Sequence, residues 1–289
     1  MSDLTVNGII KDISPNDEMF AGDKDHYFGV GQSALECILC SLNAARVPVD
    51  QIRHILDLPC GHGRVLRYIK AAFPRSEITA GDLLRDGVDY CARTFGAIPL
   101  YSDEDPVKIT LEPNTFDLIW VGSLLTHLKS KRWSDFLKLF CRCLRPGGVL
   151  VFSAHGREAR ERTAEGKFNY GLPSWRTTAV LYGYERSGFG YANFLNSNSY
   201  GHSLSHPAWV LKEIAGIGEM RVVHFAERAW DRHHDIYACL HDPSWRIQRS
   251  TTAIITFLKH KIREQAILRV PWLVRPKENT GSTGSAASR

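Results

Sequence analysis

The sequence predicts an α/β protein, a mostly parallel sheet with helices packed on both faces. Three observations carry this. Apolar runs and amphipathic stretches alternate from Ile52 to Ser153. The run Ile55-Leu56-Asp57 ends in an acid and breaks into Leu58-Pro59-Cys60-Gly61-His62-Gly63, after which Val65, Leu66 and Ile69 recur at helical spacing. The next run, Ile78 to Asp82, again ends in an acid, at the about 20-residue offset expected of a ribose-hydroxyl acceptor.

Taken in order, residues 1–27 are polar, and Asn16-Asp17-Glu18-Met19-Phe20 is expected to pack near the site. A helix is predicted from Gln32 to Ala45, with Ile38, Leu39 and Leu42 inward. Strands follow at 55–57, 78–82, 97–101 and 115–121, and a fifth at 149–153 is introduced by the turn Leu144-Arg145-Pro146-Gly147-Gly148. Residues 157–204, rich in Gly, Asn, Ser and aromatics, are too long for a plain connection. They are read as a substrate cap over the carboxyl edge, the alternative being an aromatic mini-core without ligand contact. Pro207 to Ala215 reads as a helix capped by Ser205. Residues 221–227 and 236–240 form a strand pair around the polar loop Trp230-Asp231-Arg232-His233-His234-Asp235. A basic amphipathic helix is expected within 246–277, stopped at Pro271, and a disordered Gly/Ser/Thr-rich tail at 278–289. The expected organisation is therefore a main domain over 1–245, an extension over 246–277 and the tail.

At 44% hydrophobic and 23% charged residues the 289-residue chain has ordinary globular composition. No apolar run is long enough to span a bilayer, and Met1-Ser2-Asp3-Leu4 lacks a signal pattern. Seven cysteines without regular spacing suit reduced thiols in the cytoplasm, and Cys37-x-x-Cys40 reads as helix packing. The net charge of +5 is uneven: from Arg246 onward nine Lys/Arg face Glu264 and Glu278, a net +7 that leaves −2 for the rest. That main domain is not a basic nucleic-acid surface.

The glycine turn alone admits several ligands. Glycine lets the backbone approach a ligand closely, and the helix start offers free N–H groups and a positive dipole end. A dinucleotide fingerprint fails because Leu66 holds its third glycine position, and a P-loop fails because Gly63-Arg64-Val65 lacks the Lys-Ser/Thr ending.

Asp57-Leu58-Pro59-Cys60-Gly61-His62-Gly63, the acid Asp82, Phe116-Asp117-Leu118-Ile119, Ser123-Leu124-Leu125-Thr126-His127-Leu128 and Leu144-Arg145-Pro146-Gly147-Gly148 stand in one order over residues 30–155. In this the chain resembles class I S-adenosylmethionine (SAM)-dependent methyltransferases. The resemblance implies a Rossmann-like seven-stranded sheet with the last strand antiparallel, and SAM as cofactor. Pro59 departs from the pattern, standing where the family has its first glycine, so it offers no N–H. By resemblance, Gly61 and Gly63 pass under the methionine part of SAM, with Pro59 and Cys60 in the same turn. Asp57 orients the amino group, and Asp82, followed by Leu83, accepts the ribose hydroxyls. Ser102 and Asp103 meet the adenine amine, with Asp105 nearby as a competitor for that place. Gly122 and Ser123 line the sulfonium end.

Methyl transfer to an alcohol benefits from a base. The candidates on the ligand edge are His127, His202, and the adjacent pair His233 and His234, one of which Asp231 or Asp235 would orient. No metal is assigned, because adjacent residues of a strand point to opposite faces. The leading function is O-methylation of a hydroxyl-rich acceptor, a glycan or glycolipid precursor. Ser199 to Trp209 and Arg228-Ala229-Trp230-Asp231 carry a weaker resemblance to methyltransferases of bacterial glycan assembly. The basic extension would then touch an anionic membrane from the cytoplasmic side, or else pack on the protein. The alternatives are a soluble small-molecule O- or N-methyltransferase and a SAM-binding module without turnover. Nucleic acid is not an expected partner: no Asn/Asp-Pro-Pro-Tyr motif follows the fourth strand, where Ile119-Trp120-Val121-Gly122 stands.

Overall fold

A computed structural model describes residues 7–244. The expected basic extension at 246–277 and the tail at 278–289 lie outside the described residues.

A seven-stranded sheet runs in the order β3-β2-β1-β4-β5-β9-β8. Its strands are β1 (His54–Asp57), β2 (Glu77–Asp82), β3 (Ile98–Tyr101), β4 (Phe116–Val121), β5 (Leu144–Ala154), β8 (Met220–Trp230) and β9 (His234–His241). β1 to β5 pair in parallel, and β9 inserts antiparallel between β5 and β8. This is the expected sheet with its antiparallel last strand.

Side chains alternate across the sheet as period two requires. Ile55, Leu118, Trp120, Val149 and Val151 join one core cluster with α1 (Lys24–Ala45), α2 (Leu66–Ala72) and α3 (Arg85–Phe95). Leu56, Ile119, Val121, Leu150 and Phe152 join the other, with α4 (Ser130–Cys143) and α7 (Pro207–Ala215). Both faces are therefore covered, and the near-continuous apolar strands follow from that.

Several boundaries differ from the sequence reading. α1 starts at Lys24 because Asp23 caps it, accepting from the His26 N–H. Leu144 to Gly148 lies inside β5 as an irregular entrance in which Leu144 already pairs with Phe116. The cap of α7 is His206, whose Nδ1 accepts the Ala208 N–H, and not Ser205. Pro207 takes the first helical position, so the residue before it becomes the cap.

Residues 157–205 form α5 (Arg157–Ala164), α6 (Ser174–Ser187) and a hairpin of β6 (Phe189–Asn193) and β7 (Gly201–Ser205). Ala159, Leu172, Val180, Tyr184 and Leu204 give this insertion its own small core. Tyr184 belongs to that mini-core, with Tyr170 and Phe194 packed against it, while Tyr170 and Tyr200 also line cavities.

Candidate active site

The chain runs β1, β2, β3 outward from the centre and then returns to β4 beside β1. In open α/β sheets ligands bind at such a reversal, outside the carboxyl ends of the strands. Asp57, Asp82, Tyr101 and Val121 end β1 to β4 on that edge.

Gly61 and Gly63 take φ +50 and +80 in the turn after β1. A Cβ on Gly61 would enter open space, whereas one on Gly63 would collide with the Phe95 ring of α3. The Cys60 N–H donates to Gly81 O at 2.8 Å, and the Gly61 N–H to Asp82 Oδ2 at 2.8 Å. Asp82 Oδ1 accepts the Leu84 N–H at 2.9 Å, so this acid stitches the turn to the end of β2.

Asp57 is 1% exposed, and among the described residues neither of its carboxylate oxygens has a hydrogen-bond partner. Burial, with the Asp82 charge beside it, holds its carboxyl well above the usual carboxylate range. A carboxylate in this position lacks a cation or donor.

A crevice of about 420 Å³ opens here, lined among others by Met19, Pro59, Asp82, Leu83, Ser102, Asp103 and Ser123. Six sequence-nominated residues thus share one wall system. Asp57, Cys60, Gly61, Gly63 and Gly122 are not among the lining residues. Gly122 is pressed between indoles, since a Cβ there would lie 2.8 Å from Trp120 Nε1 and 3.0 Å from Trp230. Of the competing acids, Asp105 caps the turn at Val107 and pairs with Arg132 at 3.0 Å, which leaves Asp103 to the crevice. Glu18 and Met19 line it too, as expected of the N-terminal segment. Arg67 holds that segment, donating to Ile10 O and Asp12 O at 2.9 Å each and to Gly63 O at 3.0 Å. Nothing in the sequence distinguishes Arg67 from an ordinary charged helix residue.

The candidate bases gather on the next part of the edge. His127 gives its Nδ1–H to Gly201 O at 2.7 Å, leaving the Nε2 lone pair 3.4 Å from Ser123 Oγ. Its ring stacks on Tyr200 at 4.5 Å, and burial lowers its pKa. His202 on β7 is buried, both nitrogens unpartnered, with its pKa pushed down to about 3 by burial.

His233 and His234 do not diverge as expected of adjacent strand residues. His233 closes the turn after Trp230 and His234 opens β9, so their rings lie 4.2 Å apart. His233 gives its Nδ1–H to the Asp231 backbone O at 2.7 Å, with the Asp231 carboxylate 3.8 Å from the same nitrogen. Asp235 accepts the Arg228 N–H instead.

His155, which the sequence reading missed, sits 4.5 Å from His234 between ring centroids. It directly follows β5, so the carboxyl-edge rule could have found it.

Beside these rings lies a cavity of about 670 Å³ lined by Asp25, Arg162, Phe168, Tyr170, Asp231 and His233, among others. Among the described residues no helix is long and apolar enough to cross a membrane.

Residues 55–148 match a family model described as a methyltransferase domain. A fatty-acid O-methyltransferase of Mycolicibacterium smegmatis is 29% identical over 133 residues, 46% of this chain and 43% of that protein. A malonyl-[acyl-carrier protein] O-methyltransferase of Enterobacter lignolyticus is 34% identical over 109 residues, 38% and 41% of the two chains. The chain spans less than half the length of these curated relatives. The solved 1,6-didemethyltoxoflavin-N1-methyltransferase of Burkholderia thailandensis, holding its substrate and S-adenosylhomocysteine, has 12% identity and a TM-score of 0.51 over 73% of this chain and 78% of that one. That likeness is one of fold.

Proposed function

We propose that this chain, whose residues 55–148 match a methyltransferase-domain model, is a class I SAM-dependent methyltransferase that binds SAM at the glycine turn and methylates an oxygen of a hydroxyl-rich acceptor. Asp57 carries the cofactor reading. A carboxylate so buried, with two orphaned oxygens, gains most from a cationic partner, and the amino group of the cofactor is one. Each Asp82 oxygen accepts one backbone N–H and keeps a lone pair for a ribose hydroxyl. Ser102 and Asp103 are set for the adenine amine, with Pro59 and Leu83 as apolar walls. Gly61, with open space where a Cβ would stand, allows the close approach, and Ser123 borders the sulfonium end.

SAM, when bound, supplies an electrophilic methyl group on sulfur. The protein's own contribution is alignment, worth about 7–11 kcal/mol at best, and proton removal, worth about 10²–10⁴-fold. We assign proton removal to His127. Its Nδ1–H is fixed on Gly201 O, so Nε2 is the basic nitrogen, beside a serine of the cofactor crevice. His202 has no such fixed tautomer, because neither of its ring nitrogens has a hydrogen-bond partner among the described residues.

The acceptor belongs in the 670 Å³ cavity. Asp25, Arg162 and Asp231 offer hydrogen bonds while Phe168 and Tyr170 offer stacking faces, a combination that suits sugar hydroxyls. A lipid-linked acceptor would also give the basic residues 246–277 a membrane to meet.

Methyl-labelled SAM, incubated with the full chain and fractionated cell extract, tests this. Label is expected in a hydroxyl-rich glycan or glycolipid fraction. Label confined to apolar small molecules would favour the small-molecule alternative, and tight SAM binding without transfer would revive the non-catalytic one. Calorimetry supplies the site test: Asp82→Ala should weaken SAM binding more than about tenfold, about 1.4 kcal/mol. Unchanged affinity would refute the ribose assignment.

A further inference from the structure

Beyond His127, the carboxyl edge holds a set of imidazoles that the proposed proton transfer leaves unused. His155 follows β5, His233 closes the turn before β9, His234 opens β9, and His202 faces them from β7. Ring centroids are 4.5 Å apart for His155 and His234, 5.7 Å for His155 and His233, and 4.9 Å for His155 and His202. His155, His202 and His234 are 3%, 1% and 7% exposed. Among the described residues, both nitrogens of His155, both of His202 and Nδ1 of His234 have no hydrogen-bond partner. Buried polar groups left this way cost about 1–3 kcal/mol each. Something that accepts a nitrogen lone pair would remove that cost at one nitrogen of each ring it binds.

We propose that His155, His233 and His234 bind a divalent transition-metal ion of the zinc class. One nitrogen from each lies within 4.8 Å of the others. Tetrahedral zinc, with Zn–N of about 2.0–2.1 Å, would draw them to about 3.4 Å, a closure that small ring rotations provide. Neutral imidazole donors select zinc, copper, nickel or iron over magnesium and calcium. The bond from His233 Nδ1 to the Asp231 carbonyl fixes the tautomer with Nε2 as donor atom, a carbonyl partner typical of ligating histidines. Three protein ligands leave a coordination position open, as in catalytic zinc sites. His233 also lines the 670 Å³ cavity, which gives an ion its route in and the open position its occupant. That occupant is an acceptor oxygen, a clause that rests on reading the cavity as the acceptor pocket.

The test uses the full chain, stripped with chelator and titrated with ZnCl2 by calorimetry and CoCl2 by visible absorption. One equivalent should bind, with cobalt d–d bands. His155→Ala and His233→Ala should each weaken binding at least tenfold while SAM still binds. Should His155→Ala fail to fold, His233→Ala, in a partly exposed turn, decides. The proposal is overturned by the absence of stoichiometric binding, by unchanged affinity in the folded variants, or by a loss confined to His241→Ala. The last result would move the ion to the second group of possible ligands, Cys141, Glu219 and His241. Asp82→Ala should retain zinc. Wild-type protein that binds zinc but no SAM would sink the methyltransferase reading and leave the metal site standing.

Discussion

Asp57 and Asp82 are acids that end neighbouring strands, yet their surroundings give them different work. Asp82 spends one lone pair of each oxygen on the Gly61 and Leu84 N–H groups, while Asp57 has no hydrogen-bond partner among the described residues. That both acids sit on the ligand edge was legible in the sequence, because each closes an apolar run. Their division of labour was not, since it depends on which backbone donors reach them. The same holds for His127. Its position after the fourth strand was readable, but the Gly201 carbonyl that sets its tautomer comes from 74 residues away. His127→Ala should lower kcat by about 10²-fold or more while the SAM dissociation constant stays within twofold. A steady-state assay alongside calorimetry checks this, and an unchanged kcat would return the base to the other histidines.

The turn between β1 and α2 shows how an element can be tied to a neighbour as well as to a ligand. Gly63 and Gly96 both have positive φ, +80 and +65, but only a Cβ on Gly63 meets another side chain. Gly96→Ala should therefore cost only the backbone strain of a left-handed alanine, about 1 kcal/mol. Gly63→Ala adds the displacement of Phe95 and should cost about 2–4 kcal/mol in all. Urea unfolding midpoints of the two variants measure the difference, and equal losses would show that Phe95 gives way freely. Outside the insertion, element order and type were legible from periodicity, but its helices α5 and α6 and its hairpin were not, and element ends were decided by caps and turns. Asp23 begins α1, and Pro207 makes His206 the cap of α7. The turn before β9 put His233 and His234 side by side, where simple strand alternation would have separated them.

At the scale of the molecule the buried histidines couple folding to pH. His127, His155, His202, His233 and His234 all have folded-state pKa values lowered chiefly by burial. In the unfolded chain they take up protons near pH ~6.5, but in the fold only further down. Falling pH therefore favours unfolding from about 6.5 downward, and the penalty levels off below the folded values, which for His202 means about 3. Two carboxyls act in the opposite sense. Asp57 and Asp235, the latter pushed up to about 6, protonate in the fold first and so add stability as pH falls. Asp86, Asp105, Glu158 and Glu227, held below the usual carboxylate range by hydrogen bonds, side with the imidazoles. Metal-stripped protein should show a lower urea midpoint at about pH 5 than at about pH 7.5, with a smaller gap in His202→Gln. Equal midpoints at the two pH values would contradict the neutral burial of the cluster.

The order of strands and helices, the glycine turn and the two strand-ending acids were determined by local pattern. Periodicity of two or 3.6 and the chemistry of turns act over a few residues and can be read there. The imidazole cluster, the orphaned Asp57 carboxylate and the Arg67 clamp were decided only by the tertiary structure. They depend on groups brought together from distant segments, His155 beside His234 and Arg67 beneath Ile10 and Asp12. Sheet order sets those distances, and no local pattern encodes which strand ends become neighbours.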